Sequence, residues 1–93
     1  MFYVYAISSL SRNYIYVGMT NHLARRTSQH NLGKEKTTKP YRPFILIFFE
    51  RHTDRNNARI REKYWKSGTG KEQLRIIRDD LGSTCLPAGR FPP

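Results

Sequence analysis

The chain has 93 residues, 38% of them apolar and 13% aromatic, which predicts one small folded domain and excludes a disordered basic tail. Lysine and arginine number 17 against seven acidic residues, and the net charge of +10 favours a polyanionic partner, most commonly nucleic acid. No apolar run approaches the roughly 20 residues that span a membrane, and no signal peptide is recognisable. The single cysteine, Cys85, excludes an internal disulfide. We therefore expect a cytoplasmic protein that does not bind membranes.

The first two predicted elements form an antiparallel β-hairpin. Residues 2–9 and 14–19 are rich in β-branched and aromatic side chains, which is typical of strands, and LSRN between them supplies a turn. If the two strands pair so that the numbers of opposite residues sum to 21, Tyr5 lies opposite Tyr16. Gly18 then leaves space on the same face of the sheet. The two tyrosines are either an aromatic pair that stabilises the sheet or part of a functional site.

A helix is predicted next, from about residue 22 to 31. Thr20 or Asn21 is a suitable N-cap for it, and Gly33 is a suitable C′ residue.

Two residues of this helix, Arg26 and His30, share one stripe because they are spaced i and i+4. If His30 is protonated, the two like charges repel, and an anion between them would turn this repulsion into attraction. A solvated basic face is the alternative interpretation.

The second half of the chain begins with a loop and a strand. Residues 33–43 hold four basic residues and two prolines and are predicted to be a loop. FILIFFE at 44–50 is a continuous apolar run, which predicts a strand buried on both faces. Thr53 or Asp54 is predicted to cap a second helix that runs to about Lys66.

A third helix is predicted to open at Thr69, which forms a capping-box pattern with Glu72, and to end at Gly82. Its apolar stripe consists of Leu74, Ile77 and Leu81. The predicted fold is α+β, with a three-stranded, mostly antiparallel sheet flanked by helices in the order β-β-α-β-α-α. Residues 1–81 form the predicted domain and 82–93 a flexible tail.

One acidic residue in the predicted second helix needs an explanation. In IREKYWK, at 60–66, Glu62 shares a helical face with Ala58 and Trp65, while the basic residues are expected to point elsewhere. An acid on an apolar face is costly unless a partner neutralises it. An internal salt bridge with Arg26 or a lysine is one possible partner.

Together these residues resemble a known family. YVY at 3–5 and YVG at 16–18, followed by an arginine, a histidine and a glutamate at the spacing found here, resemble the GIY-YIG nuclease domain. REKYWKSGTG at 61–70 is similar to the small single-domain members, and the resemblance covers about residues 2–81. Two positions depart from the pattern. Tyr3 replaces the first glycine of the signature, and Leu74 stands where some members have a polar residue.

The resemblance implies an endonuclease that hydrolyses phosphodiester bonds in DNA with one divalent metal ion, Mg²⁺ or Mn²⁺, held by Glu62. Either tyrosine could deprotonate the attacking water, and the implied catalytic residues are Tyr5, Tyr16, Arg26, His30 and Glu62. We expect other basic residues to hold the DNA backbone without reading its sequence. These are Arg25, Lys34, Lys36, Lys39, Arg42, Arg55, Arg59 and Lys66.

With about eighty folded residues, the domain is expected to recognise the shape of its substrate, such as branched or damaged DNA in repair or recombination, or to be targeted by a partner protein. The oligomeric state stays open. Two other functions are compatible with the composition. One is a non-catalytic nucleic-acid-binding module on the same scaffold, and the other is a basic assembly protein for an RNA-rich partner.

Overall fold

A computed structural model describes residues 1–85 and has the predicted α+β order, β-β-α-β-α-α. The strands are β1 (Phe2–Ser9), β2 (Ile15–Thr20) and β3 (Phe44–His52), and the helices are α1 (Leu23–Asn31), α2 (Arg55–Lys66) and α3 (Gly68–Cys85). The sheet is antiparallel with strand order β2-β1-β3, so β1 is the central strand. None of the helices in the described part of the chain is long and apolar enough to cross a membrane.

The sheet separates two apolar layers, because successive side chains of each strand point to opposite faces. On one face α2 and α3 cover the larger core, which contains Val4, Ala6, Ile15, Val17, Ile47, Ala58, Trp65 and Leu74. On the other face α1 covers a smaller cluster centred on Tyr5, Ile7 and Phe44. The second face therefore carries both tyrosines of the predicted site.

The register of the hairpin differs from the predicted one. The numbers of residues that lie opposite each other in β1 and β2 sum to 23, so Tyr5 lies opposite Gly18 and Tyr16 lies opposite Ile7. The turn sets this register, because the Ser9 N–H donates to the Tyr14 carbonyl at 2.9 Å and leaves residues 10–13 as the loop. The shift of two residues keeps every side chain on its predicted face.

The ends of α1 are fixed by a histidine and a glycine. His22, not Thr20 or Asn21, is the N-cap, and its Nδ1 accepts a hydrogen bond from the Arg25 N–H at 3.3 Å. Gly33 is the C′ residue, as predicted, and its φ of +80° is a conformation that favours glycine.

The start of α3 differs from the prediction, whereas α2 runs from Arg55 to Lys66 with Asp54 as its N-cap, as predicted. The Ser67 hydroxyl accepts a hydrogen bond from the Gly70 N–H at 3.3 Å, so α3 begins at Gly68 without the predicted capping box. The helix also continues through Gly82 to Cys85. One glycine inside a helix costs only about 1 kcal/mol relative to alanine, which does not end it. The rest of the predicted tail, 86–93, lies outside the described residues.

The third strand is not buried on both faces. Ile45, Leu46 and Phe49 are 41%, 40% and 48% exposed. β3 is an edge strand, and an open pocket of about 650 Å³ between α1 and β3 leaves Leu46 and Phe49 in contact with solvent.

Candidate active site

The two tyrosines lie side by side on the face of the sheet that α1 covers. Their ring centroids are 6.3 Å apart at an angle of 47°. Tyr5 is only 1% exposed, whereas Tyr16 is half-buried and reaches solvent. Gly18 faces Tyr5 across the two strands, and the Tyr5 hydroxyl occupies the space that a side chain there would take.

We predict that Gly18→Ala displaces the Tyr5 hydroxyl. A Cβ at this position would lie 2.6 Å from the hydroxyl oxygen and 3.0 Å from the Tyr16 ring, so one of the rings must move. Overpacking of this kind lowers the free energy of unfolding by about 1–3 kcal/mol, which urea denaturation would measure. Gly68→Ala is the control, because its added Cβ would meet no atom within 4 Å. Equal stability of the two variants would contradict the prediction.

A chain of buried hydrogen bonds begins at Tyr5. The Tyr5 hydroxyl lies 2.8 Å from His30 Nε2, and His30 Nδ1 lies 2.8 Å from Thr38 Oγ1. The Thr38 hydroxyl donates to the Glu35 carbonyl at 3.4 Å, so its oxygen is left to accept from His30 Nδ1–H. The neutral imidazole then accepts at Nε2, and Tyr5 is the donor. His30 and Thr38 are both fully buried.

The directions in which the pKa values of His30 and Tyr5 are shifted agree with this assignment of donor and acceptor. Burial, and then the charge of Arg26, lower the pKa of His30, which favours the neutral ring. Burial also raises the pKa of Tyr5 well above its usual value, although the Arg26 guanidinium acts in the opposite direction. Tyr5 and His30 are therefore a neutral pair at neutral pH.

Arg26 is held next to this pair by an acidic residue. Its guanidinium contacts Glu35 Oε2 at 2.5 Å and donates to Gln29 Oε1 at 3.2 Å, and both Arg26 and Glu35 are about 30% exposed. Glu35 and Thr38 were missed by the sequence reasoning. Both lie in the loop between α1 and β3, and nothing in the sequence marks them except their closeness to His30.

Glu62 is the predicted catalytic residue that comes from the second half of the chain. It is on α2, which packs on the opposite face of the sheet from α1. Its side chain is 13% exposed and lies 3.3 Å from Lys66 Nζ and 3.9 Å from Arg59 Nε. Arg59 and Lys66 were expected to point elsewhere, but helical spacings of three and four bring both to the carboxylate. Within residues 1–85, no hydrogen bond or ion pair joins Glu62 to Tyr5, Tyr16, Arg26 or His30.

Glu50 is a second inward-facing acid that the sequence did not reveal. It accepts hydrogen bonds from Arg61 at 2.9 Å and from Trp65 Nε1 at 3.2 Å, and it lies 2.7 Å from His52 Nε2. Burial alone would raise the pKa of Glu50, but these hydrogen bonds lower it below its usual value. Glu50 thus pairs with His52 of its own strand and joins β3 to α2 through Arg61 and Trp65.

The described residues contain no group of three His, Cys, Asp or Glu side chains that could hold a metal ion. A hydrated Mg²⁺ ion needs only one or two carboxylates, with water and substrate phosphate as its other ligands. Glu62 can serve in this way if its carboxylate binds Lys66 and the ion together, or if Lys66 moves away from it. The residues present therefore fit a single-carboxylate site.

All eight residues predicted to contact the nucleic acid backbone are exposed. Four of them, Lys34, Lys36, Lys39 and Arg42, belong to the loop that also supplies Glu35 and Thr38. Arg25 lies on α1, and Arg55, Arg59 and Lys66 lie on α2.

The chain is similar in sequence to known proteins. The sequence profile of the GIY-YIG catalytic domain matches residues 1–75. The chain is similar to UPF0213 protein SH2523 of Staphylococcus haemolyticus, with 32% identity over 83% of this chain and 94% of the relative. It is also similar to UPF0213 protein CPE1444 of Clostridium perfringens, with 35% identity over 83% of each chain. For UPF0213 protein YazA of Bacillus subtilis the identity is 39% over 73% of this chain and 70% of the relative. No solved structure matches the chain.

Proposed function

Because the chain belongs to the GIY-YIG family, we propose that it is a metal-dependent endonuclease that hydrolyses phosphodiester bonds in DNA. The observation that carries this proposal is the Tyr5–His30 hydrogen bond of 2.8 Å, with Tyr16 and Arg26 beside it. A sheet needs no buried tyrosine–histidine pair next to an arginine for its stability. Such a group can orient a phosphate and move a proton.

Hydrolysis requires that a water oxygen attack phosphorus while the bond to the 3′ oxygen breaks, giving a 5′ phosphate and a 3′ hydroxyl. Arg26 would neutralise charge on the phosphoryl oxygens. Tyr16 is the tyrosine that meets the attacking water in this proposal, because its ring reaches solvent whereas Tyr5 is 1% exposed. Tyr5 and Thr38 would fix the tautomer of His30, whose ring centroid lies 4.8 Å from that of Tyr16.

Glu62 would hold the divalent ion, Mg²⁺ or Mn²⁺. When bound, the ion would supply positive charge that polarises the phosphate and stabilises the leaving oxygen. In the free protein the Glu62 carboxylate lies 3.3 Å from Lys66 Nζ, which turns it along its own helix.

Substrate choice is proposed to depend on shape. The basic loop and the basic face of α2 can hold phosphates of any sequence. This predicts that the substrate is branched or damaged DNA in repair or recombination. It also predicts that cleavage takes place in the cytoplasm and that a partner protein directs the enzyme to its substrate.

The test is cleavage of single-stranded, duplex, flapped and junction DNAs with Mg²⁺, with Mn²⁺ and with EDTA. Failure to cleave any of them with either metal would reject the enzyme.

We predict that binding to DNA is mainly electrostatic. If about five phosphates are contacted, log K falls with log salt at a slope of about −4 to −5 on duplex DNA. Fluorescence anisotropy in EDTA, at several salt concentrations, measures this slope without cleavage. A slope near zero would contradict the prediction.

A non-catalytic nucleic-acid-binding module is the second candidate. The observation that favours it is the pairing of Glu62 with two cations of its own helix, while no hydrogen bond or ion pair joins it to the tyrosines among residues 1–85. This module would show the same salt dependence but no metal-dependent cleavage.

A further inference from the structure

A small basic pocket lies at the start of β2, outside the site described above. It is lined by Asn13, Tyr14 and Ile15 and by three residues of α3, and it has a volume of about 190 Å³. This is roughly the volume of six water molecules at about 30 Å³ each, the scale of one phosphate group with a few waters. The residues of α3 are Lys71, Arg75 and Arg78.

The three cations follow one stripe of α3, at spacings of four and three residues. Lys71 Nζ donates to the Ile15 carbonyl and lies 6.0 Å from the centroid of the Tyr14 ring. Arg78 donates to Asn13 Oδ1 at 2.6 Å, which joins the helix to the hairpin turn. These contacts hold two of the cations in place before any ligand binds.

Positive charge in this pocket is incompletely balanced. None of its lining residues is acidic. Asp79, which pairs with Arg78 at 3.1 Å, is not part of the lining and has a side chain that is 71% exposed. Burial, and then the charges of Arg75 and Lys66, lower the pKa of Lys71. A bound anion would relieve this repulsion, and the guanidinium groups are matched to phosphate oxygens.

We propose that this pocket binds a backbone phosphate of the nucleic acid, close to the phosphate that is cleaved; the inference rests on the proposed function. Tyr14 and Tyr16 belong to the same apolar cluster and are two residues apart in an extended segment. Their Cα atoms are therefore separated by roughly 6.6 Å along the chain, which is on the scale of the distance between neighbouring phosphates in one DNA strand. A DNA strand whose phosphate lies at Tyr16 thus extends to the pocket.

The experiment compares two variants that each lower the net charge from +10 to +9, Arg75→Gln in the pocket and Arg51→Gln on β3, outside the basic loop and the basic face of α2. Both residues are exposed, so both variants should fold. Anisotropy with a short duplex is measured in EDTA over a range of salt. We expect Arg75→Gln to make the salt slope shallower by about 0.9, the value for one lost phosphate contact, and Arg51→Gln to leave it at the wild-type value. Equal slopes for the two variants would overturn the inference.

A second measurement distinguishes a DNA phosphate from a small phosphorylated ligand. In NMR titrations of the wild type, the duplex should shift the backbone amides of Asn13, Tyr14 and Lys71. If inorganic phosphate shifts them and the duplex does not, the pocket binds a small anion and the proposal is wrong. Both measurements are made without metal, so a failure to cleave DNA and a failure of this inference are separate results.

Discussion

Glu62→Gln is expected to abolish metal-dependent cleavage and to leave DNA binding intact or slightly tighter. Glutamine has nearly the same volume, so packing beside Ala58 and Trp65 should persist. The change removes the negative charge on which a hard cation depends, and no other acid among residues 1–85 is placed to form a three-ligand site with it. The ion pairs join Glu62, whose side chain is 13% exposed, to the half-exposed cations Arg59 and Lys66. Glutamine remains polar at this position and the cations stay in contact with solvent, so the loss of the pairs should change the free energy of unfolding by only about 0–1 kcal/mol.

Glu72→Gln on the exposed face of α3 is the matched control for this prediction, because both variants raise the net charge from +10 to +11. The control should cleave at the wild-type rate. Arg26→Ala should reduce both cleavage and binding, since it removes a phosphate contact. If Glu62→Gln cleaves as fast as the control, Glu62 does not hold the metal ion.

Tyr16→Phe is expected to lower kcat by about 10²–10⁴, the range for loss of a general base, with little change in stability. Tyr16 reaches solvent, and its ring contacts with Tyr5 and His30 persist in phenylalanine. Tyr5→Phe should instead lower the free energy of unfolding by about 1–3 kcal/mol, because it leaves a buried acceptor, His30 Nε2, without its donor. Single-turnover cleavage and urea denaturation of the same two variants measure both quantities.

The two tyrosine variants have distinct signatures, which makes the assignment testable. A stable Tyr5→Phe that has lost cleavage, together with an active Tyr16→Phe, would exchange the roles proposed for the two residues.

Thr38→Val and Thr38→Ser extend the test, since only serine keeps an oxygen that can accept from His30 Nδ1–H. Serine should therefore retain more of the Tyr5–His30 geometry than valine.

The fold could be predicted largely from local patterns. The alternation of residues in β1 and β2 and the caps at Asp54 and Gly33 depend on neighbours close in the sequence, and these predictions are confirmed. The errors arose where competing signals were present. Ser67 and Thr69 both offer a cap, and the apolar run of β3 resembles a central strand although the topology leaves it at an edge.

The candidate site was predictable only where its residues carry a motif. Spacing alone brought Arg26 and His30 onto α1 and the two tyrosines onto one face. Glu35 and Thr38 escaped notice because their roles come from a loop that folds back on α1, and no periodicity encodes such a contact. For the partner of Glu62 the sequence left two alternatives, a metal ion and a basic side chain, and composition could not distinguish between them. In the structure the carboxylate pairs with Lys66.

The ion pair between Arg26 and Glu35 has a consequence for how strongly the site can bind its substrate. The arginine side chain is already fixed in the free protein, so binding a phosphate loses little of the roughly 0.5–1.5 kcal/mol of rotamer entropy that such a side chain carries. The phosphate must, however, compete with a carboxylate for the same guanidinium. A ground-state phosphodiester has one negative charge and gains little from this exchange. A transition state with more charge on its phosphoryl oxygens competes better, so Glu35 would weaken binding of the substrate more than it weakens binding of the transition state.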